Sequence, residues 1–292
     1  MLNMKEKVRI AIIVPAGPND DIFDTAHSIV RFTDPSRIIL IIDDRGLLRS
    51  GDADRLRALS DDVVVIPAAS APPGCFGGLW VKLCGAYRWL LEQYEPGLVL
   101  RMDADALMIG AGIEEQAERA FADQPRAGLL GSYRLGPDDG LRDFSWPAGQ
   151  LRRAIGMRGM GNPACRSLIR KYYGLARKNG YVDGEHVLGG AYIHRYDAID
   201  AIMRNGWLSE AGRLGKSIMG EDHMMSMVTI AAGFCIADFG GSAHPMALAW
   251  RGLPAHPSDL LERGKLVTHS VRSWQELTEQ EVRAIFAAAR RN

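Results

Sequence analysis

The chain has 292 residues, with 35 basic and 35 acidic side chains, 47% hydrophobic residues, 32 Gly and 14 Pro. Such a balance excludes a disordered chain, which would carry less apolar content and more net charge, and the length can bury a sizeable core in one large domain or two small ones. A formal net charge of zero excludes a whole-protein field that would gather nucleic acid or a membrane surface, so any affinity for anions must be local.

The first segment, MLNMKEKVRIAIIVPAG, sets basic residues before an apolar run as a signal peptide does. Arg9 interrupts that run, Pro15 follows it, and no site of small residues for cleavage is present. Val8 to Val14 therefore reads as a buried first strand. No stretch reaches the roughly 20 apolar residues that cross a bilayer. Cys75, Cys84, Cys165 and Cys235 form no CxxC pair and read as small apolar residues of a reducing compartment. The expectation is a cytoplasmic protein, with peripheral contact at the inner membrane face left open.

Further strands are predicted at Arg37 to Ile42, Val63 to Ile66 and Gly97 to Met102, alternating with helical patterns near 21–33, 52–60 and 79–94. The alternation predicts βαβ units in an α/β fold with a mostly parallel sheet, and near-continuous apolar strands predict helices on both faces. Ligands of such sheets sit beyond the carboxyl ends of the strands. Three of those ends are polar or bend sharply: Pro15-Ala16-Gly17, Asp43-Asp44-Arg45-Gly46 and Asp103-Ala104-Asp105. After about residue 131 a Gly- and Arg-rich stretch up to Cys165 reads as long loops with a short helix. Periodicity returns at Ala191 to Met203 and His223 to Ala232. Near the end, Thr278 and Glu281 form a capping box before the helical face of Val282, Ile285, Phe286 and Ala289.

Two segments carry the chemistry. In VLRMDADALMIG, carboxylates at i and i+2 beyond a strand can turn toward one hard cation, Mg²⁺ or Mn²⁺, whose shell phosphates complete. An isolated triplet of this kind is common in solvated turns; its place after the fourth strand, in a half that also ends a strand at Asp43-Asp44, is what favours a site. In GEDHMMSMVTIAAGF, Met224, Met225, Val228 and Ala232 predict an amphipathic helix with Glu221 and Asp222 at its first turn. Acids there are favoured by the helix dipole whatever the function, and a rigidly held, ionised carboxylate there can also serve as a general base.

Taken in order, PAG, IIDDRG, KLCGAYRWLLE, VLRMDADAL, GGAYIHRYDAI, GEDHMMSMVTIAAGF and VTHSVR resemble a GT-A-fold glycosyltransferase of the family 2-like kind, over about residues 8 to 270. The resemblance implies one GT-A domain over 1–292: a Rossmann-like nucleotide-sugar half over about 1–130, an acceptor and catalytic half over about 131–270, and a C-terminal helix over 271–292. It implies that Pro15, Ala16, Asp43, Asp44, Lys82, Asp103, Ala104 and Asp105 bind the nucleotide-diphosphate sugar. Asp103, Asp105 and His269 would ligate Mn²⁺ or Mg²⁺, and Asp222 with Glu221 would supply the base of an inverting transfer. His269 stands equally open to a structural part, as does Lys82 to that of a solvated charge, and His244 and His256 are weaker ligand candidates.

The chain departs from the family where processive synthases carry QxxRW after the ED motif. Its Gln280 to Arg283 lacks the Trp, which implies a non-processive enzyme. Arg45-Gly46 stands where Gly-Ser is usual. A sugar-phosphate nucleotidyltransferase and a non-catalytic nucleotide-sugar binding protein are the alternatives; PAGPNDD lacks the basic phosphate loop of the first, and Asp103, Asp105 and Asp222 together speak against the second. Gly189-Gly190 would permit close backbone approach or mark a turn, and Trp80, Trp146 and Trp207 would stack on sugars or fill the core. Between Arg134 and Lys171, eight basic residues face three acidic ones. These charges read as a solvated surface or, because arginine's planar fork suits phosphate, as the place of an acceptor that is a glycan, lipid-linked or phosphorylated; no nucleic acid is expected.

Overall fold

The computed structural model describes residues 5–18, 20–72, 74–156 and 162–291. Strand β1 (Glu6–Ala16) is central to a sheet with β2 (Arg37–Asp43), β3 (Val63–Pro67), β4 (Tyr94–Met102), β6 (Ala127–Gly131), β7 (Ala191–Arg195) and β8 (Cys235–Asp238). The order is β3-β2-β1-β4-β7-β6-β8, parallel except that β7 runs against both of its neighbours. The α/β expectation with a mostly parallel sheet is met.

Alternate residues of β1 serve two cores. Ala11 and Ile13 pack with Trp80, Leu83 and Tyr87 of α4 (Gly77–Gln93), while Ile10, Ile12 and Val14 pack with Ile22, Ala26 and Ile29 of α1 (Ile22–Phe32). This is why the strand is apolar without alternation. The chain leaves β1 toward β2 and β3 and returns on the other side as β4. In sheets of this kind such a reversal opens a crevice at the carboxyl ends of the strands, the usual ligand position, and here it falls between β1 and β4. Parallel pairing sets Ala16 beside Asp43 and Ile13 beside Arg101, so the polar strand ends lie side by side.

The helix expected near 52–60 is α3 (Asp52–Arg57), and a short α2 (Leu47–Ser50) that the pattern did not mark precedes it; Gly46 and Gly51, in left-handed conformations at φ 92° and 81°, stand before α2 and between the two. A second sheet sets β10 (Val267–His269) between β5 (Ala106–Met108) and β9 (Met246–Leu248), and its antiparallel register places His269 opposite Ala106. Helix α5 (Ile113–Asp123) leads into β6. The Gly- and Arg-rich stretch holds the expected helix as α6 (Ser145–Ile155), and a longer helix the alternation did not mark, α7 (Pro163–Lys178), follows it. Arg158 lies outside the described residues.

Strand β7 is followed by α8 (Tyr196–Arg204), and α9 (Glu221–Ala231) packs against α7. After α10 (Pro257–Glu262), the last segment forms a hairpin of β11 (Ser273–Trp274) and β12 (Leu277–Thr278) before α11 (Glu279–Ala289), whose capping box is present. The helix expected over 271–292 thus fills only part of that range. Trp80 and Trp207 are buried core residues, whereas Trp146 is 59% exposed. Among the described residues no helix is long and apolar enough to cross a membrane.

Candidate active site

The turn after β4 is held by backbone bonds at each residue. The Asp103 N–H donates to the Gly190 carbonyl at 2.9 Å, and the Val271 N–H donates to the Asp105 carbonyl at 2.9 Å. Between them the Ala104 carbonyl accepts the Thr25 hydroxyl at 2.6 Å and Arg283 Nη2 at 3.0 Å. Ala104 is therefore buried and committed to the fold. The turn directs both carboxylates at His269, whose Nε2 lies 3.7 Å from Asp103 Oδ2 and 3.4 Å from Asp105 Oδ1.

One ligand atom from each of Asp103, Asp105 and His269 lies within 4.8 Å of the others. His269 Nδ1 bonds the Ala249 carbonyl at 2.8 Å, which makes Nδ1 the N–H donor and leaves Nε2 for the carboxylates. Burial disfavours a charged imidazole, yet Asp105 and Asp103 more than offset it and raise the His269 pKa. Two carboxylates thus demand positive charge at Nε2, and a divalent cation satisfies the demand as a proton does. Two oxygen donors and one imidazole, oriented by a backbone carbonyl, fit such a cation. His256 instead caps α10 by accepting the Ser258 N–H, and neither it nor His244 belongs to the triad.

Asp105 is further fixed through Oδ2, which accepts Ser270 Oγ at 2.7 Å and Arg272 Nε at 2.8 Å. Burial opposes its ionisation, but His269, Ser270 and Arg272 hold it well below the usual carboxylate range. Arg272 Nη2 also donates to Asp20 Oδ1 at 2.8 Å, tying the loop after β1 to the same cluster.

Arg101, fully buried in β4, lies behind the turn. It donates to Asp103 Oδ1 at 2.7 Å and to the Gly189 carbonyl at 2.6 Å, and it pairs with Glu221 Oε1 at 2.9 Å. Glu221 Oε2 accepts the Tyr192 hydroxyl at 2.7 Å. Both Glu221 oxygens are therefore occupied by buried partners. Burial pushes its carboxyl up against the pull of Arg101.

Asp222 faces the other way and is partly exposed. Its Oδ1 accepts the His223 N–H at 2.7 Å, and His186 Nε2 is 3.9 Å from Oδ2. His186 Nδ1 bonds the Gly184 carbonyl at 2.8 Å, and Arg142 Nη2 approaches Nε2 at 3.2 Å. Arginine has no lone pair to offer, so His186 Nε2 is the acceptor in that contact and His186 is neutral. Burial, reinforced by Arg142, lowers the His186 pKa against the opposing charge of Asp222. Asp222 Oδ2 is left without a protein donor among the described residues.

Gly189 and Gly190 lie between the two poles. A Cβ on Gly189 would stand 3.1 Å from Asp222 Oδ2, and one on Gly190 would stand 2.3 Å from His269 Cγ and Nδ1. Gly190→Ala is thus expected to displace the imidazole. Overpacking of this kind costs about 1–3 kcal/mol, read by urea unfolding. Any Mn²⁺-induced thermal shift should be lost with it.

The remaining sequence candidates are dispersed around the strand ends. Asp43 accepts the backbone N–H groups of Arg45, Gly46, Leu47 and Leu48, and so closes the turn into α2. Asp44 is exposed and ion-paired with Lys82 of α4. Pro15 is half-buried, and Ala16, fully buried, accepts the Asp44 N–H at 3.2 Å. Sequence reasoning passed over Arg101, Arg272, Tyr192 and His186. Arg101 had a signal, because a lone charge inside an apolar strand must be paired.

No protein-family model and no curated protein matches the sequence. Among solved structures, the bifunctional glycosyltransferase WbbM in its apo form aligns with a TM-score of 0.50 at 11% identity, over 98% of this chain and 50% of that one. The chain has a glycosyltransferase fold. Mouse xyloside xylosyltransferase 1 in its apo form aligns at 0.44 and 10% identity, over 90% of this chain and 97% of its own. TarS of S. aureus aligns at 0.44 and 14% identity, over 88% and 38%. The chain therefore spans half of WbbM and a smaller part of TarS, and within the glycosyltransferase fold it places the Asp-Asp-His triad at the strand-end crevice.

Proposed function

We propose that the chain is a metal-dependent, non-processive and inverting glycosyltransferase that moves a sugar from a nucleotide-diphosphate sugar to an acceptor hydroxyl. The observation carrying this reading is the opposition of two chemically different poles across Gly189-Gly190: the Asp103, Asp105 and His269 triad on one side and the free Oδ2 of Asp222 on the other. Asp103, Asp105 and His269 would hold Mn²⁺ or Mg²⁺. Bound there, such a cation would offset charge that develops on the leaving diphosphate.

Asp222 Oδ2 takes the proton of the acceptor hydroxyl as that oxygen attacks the anomeric carbon. The lone pair of His186 offers this oxygen no competing proton. Glu221 acts as a positioning residue, holding Arg101 against Asp103 and the Gly189 carbonyl. On the nucleotide side, exposed Asp44 and the half-buried Lys82 paired with it would meet base, ribose or phosphate together with Pro15 and Ala16, while Asp43 shapes the turn that presents Asp44. The acceptor is a glycan, lipid-linked or phosphorylated.

A nucleotide sugar that binds only the folded state raises its stability by about 2.7 kcal/mol when present at about 100 times its Kd. A thermal-shift screen of nucleotide sugars with Mn²⁺ is therefore expected to give a rise that EDTA removes. Release of nucleoside diphosphate on turnover is the expected product. Pyrophosphate release, or no shift with any donor, would refute the reading.

A further inference from the structure

From Phe144 to Val182 the chain has eight basic residues and no acidic one. The fold places the described part of this run on α6 and α7. Arg152 and Arg153 are exposed on α6, the Arg153 guanidinium running along Gly149 toward the turn that carries Trp146. Trp146, Gly149, Arg152 and Arg153 occupy one contiguous helical arc, while Pro147, Ala148, Gln150, Leu151 and Ala154 are buried on the opposite side. On α7, Arg170 Nε bonds the Ile155 carbonyl at 2.7 Å, joining the two helices into one basic face. Arg152, Arg153, Arg166, Arg170 and Lys178 have no acidic partner among the described residues.

This face has an apolar border. Trp146 is 59% exposed, and Gln150 Nε2 donates to the carbonyl of Ile218, itself 44% exposed. The neighbouring Ser217 carbonyl accepts the Gly77 N–H at 3.1 Å, next to Phe76, which is 63% exposed. Ile218 stands four residues before Asp222 in the chain.

We infer that the basic outer face of α6 and α7, with Trp146 at its apolar border, docks on an anionic lipid surface. Arginines without internal counter-charges supply attraction to lipid phosphate, and an exposed indole beside aliphatic and aromatic side chains supplies the part that enters the headgroup boundary. A soluble phosphate would need convergent donors in a pocket; these arginines are splayed over an open helical surface. The inference stands apart from the transfer chemistry, which uses none of these side chains.

The test is co-sedimentation of the full chain with vesicles of phosphatidylcholine alone or of phosphatidylcholine with phosphatidylglycerol, at low and high salt. Binding is expected only to the anionic vesicles, weakening as salt screens the surface. Arg152→Gln with Arg153→Gln is expected to weaken it on the order of ten- to thirty-fold. Trp146→Ala should weaken binding without changing its salt slope, with circular dichroism confirming that the variants are folded. Asp105→Ala should bind vesicles as the wild type does, so failure of docking and failure of transfer are read separately. Equal binding to both vesicle types, no binding to either, or an unchanged double variant would overturn the inference. Displacement of the vesicles by single-stranded RNA, or a rise in KM confined to a soluble phosphorylated acceptor in the double variant, would do so as well.

Discussion

Asp105→Ala is expected to lower sugar transfer by on the order of 10³-fold or more while the chain stays folded. Outer-shell changes around metal sites already cost about 10–100-fold, and Asp105 is proposed as a ligand rather than a support. Its Oδ1 faces His269 Nε2 at 3.4 Å, and removing it leaves Asp103 and His269 alone at the site. The fold should tolerate the change, because what is lost is a strand-end carboxylate and its bonds to Ser270 and Arg272. Leaving those partners unmet costs about 1–3 kcal/mol, which unfolding by urea would read. EDTA should reproduce the loss of activity in the wild type, and added Mn²⁺ should restore the wild type but not the variant. Full activity in chelator would remove the cation from the mechanism.

The strand ends were legible because each is a local event. An apolar run of β1, β2 or β4 stops at Ala16, Asp43 or Met102, and a polar or turn-forming residue must follow where the crevice opens. The role of Asp43 was less legible. A carboxylate that meets a ligand and one that closes a turn look alike in sequence, and only four backbone N–H donors distinguish them here. Helix α7 did have a readable period: Cys165, Leu168, Ile169, Tyr172 and Ala176 are buried on one face. The Gly-rich residues before it drew the reading toward loop.

The supports of the site were the least legible, since they join residues far apart in the chain. Arg101 meets Glu221 across the sheet, Arg272 links Asp105 to Asp20, and Arg283 reaches from the last helix to the Ala104 carbonyl. No period or spacing encodes such pairs. Gly190 illustrates the same limit: its need to lack a side chain comes from His269, a contact created only when β10 is laid beside β5.

Asp222→Asn is expected to lower kcat by about 10²–10⁴-fold if the residue is the general base. The substitution keeps the shape. The amide oxygen can still accept the His223 N–H that Oδ1 accepts now at 2.7 Å, and the amide N–H₂ would take the place of Oδ2, 3.9 Å from His186 Nε2. Stability should therefore hold, and the donor-induced thermal shift should be unchanged, because no nucleotide-side residue is touched. Glu221→Gln provides the contrast. It takes one of two carboxylates from fully buried Arg101, which keeps Asp103, and weakening a hydrogen bond to a charged group costs about 1.5–3 kcal/mol. That variant should lose stability and activity together, whereas Asp222→Asn should lose kcat alone. The anomeric configuration of the product, read by NMR, completes the test. A product that retains the donor's configuration, or an Asp222→Asn enzyme that turns over normally, would take the proton-accepting role away from Asp222 and leave the crevice with only its cation-binding pole.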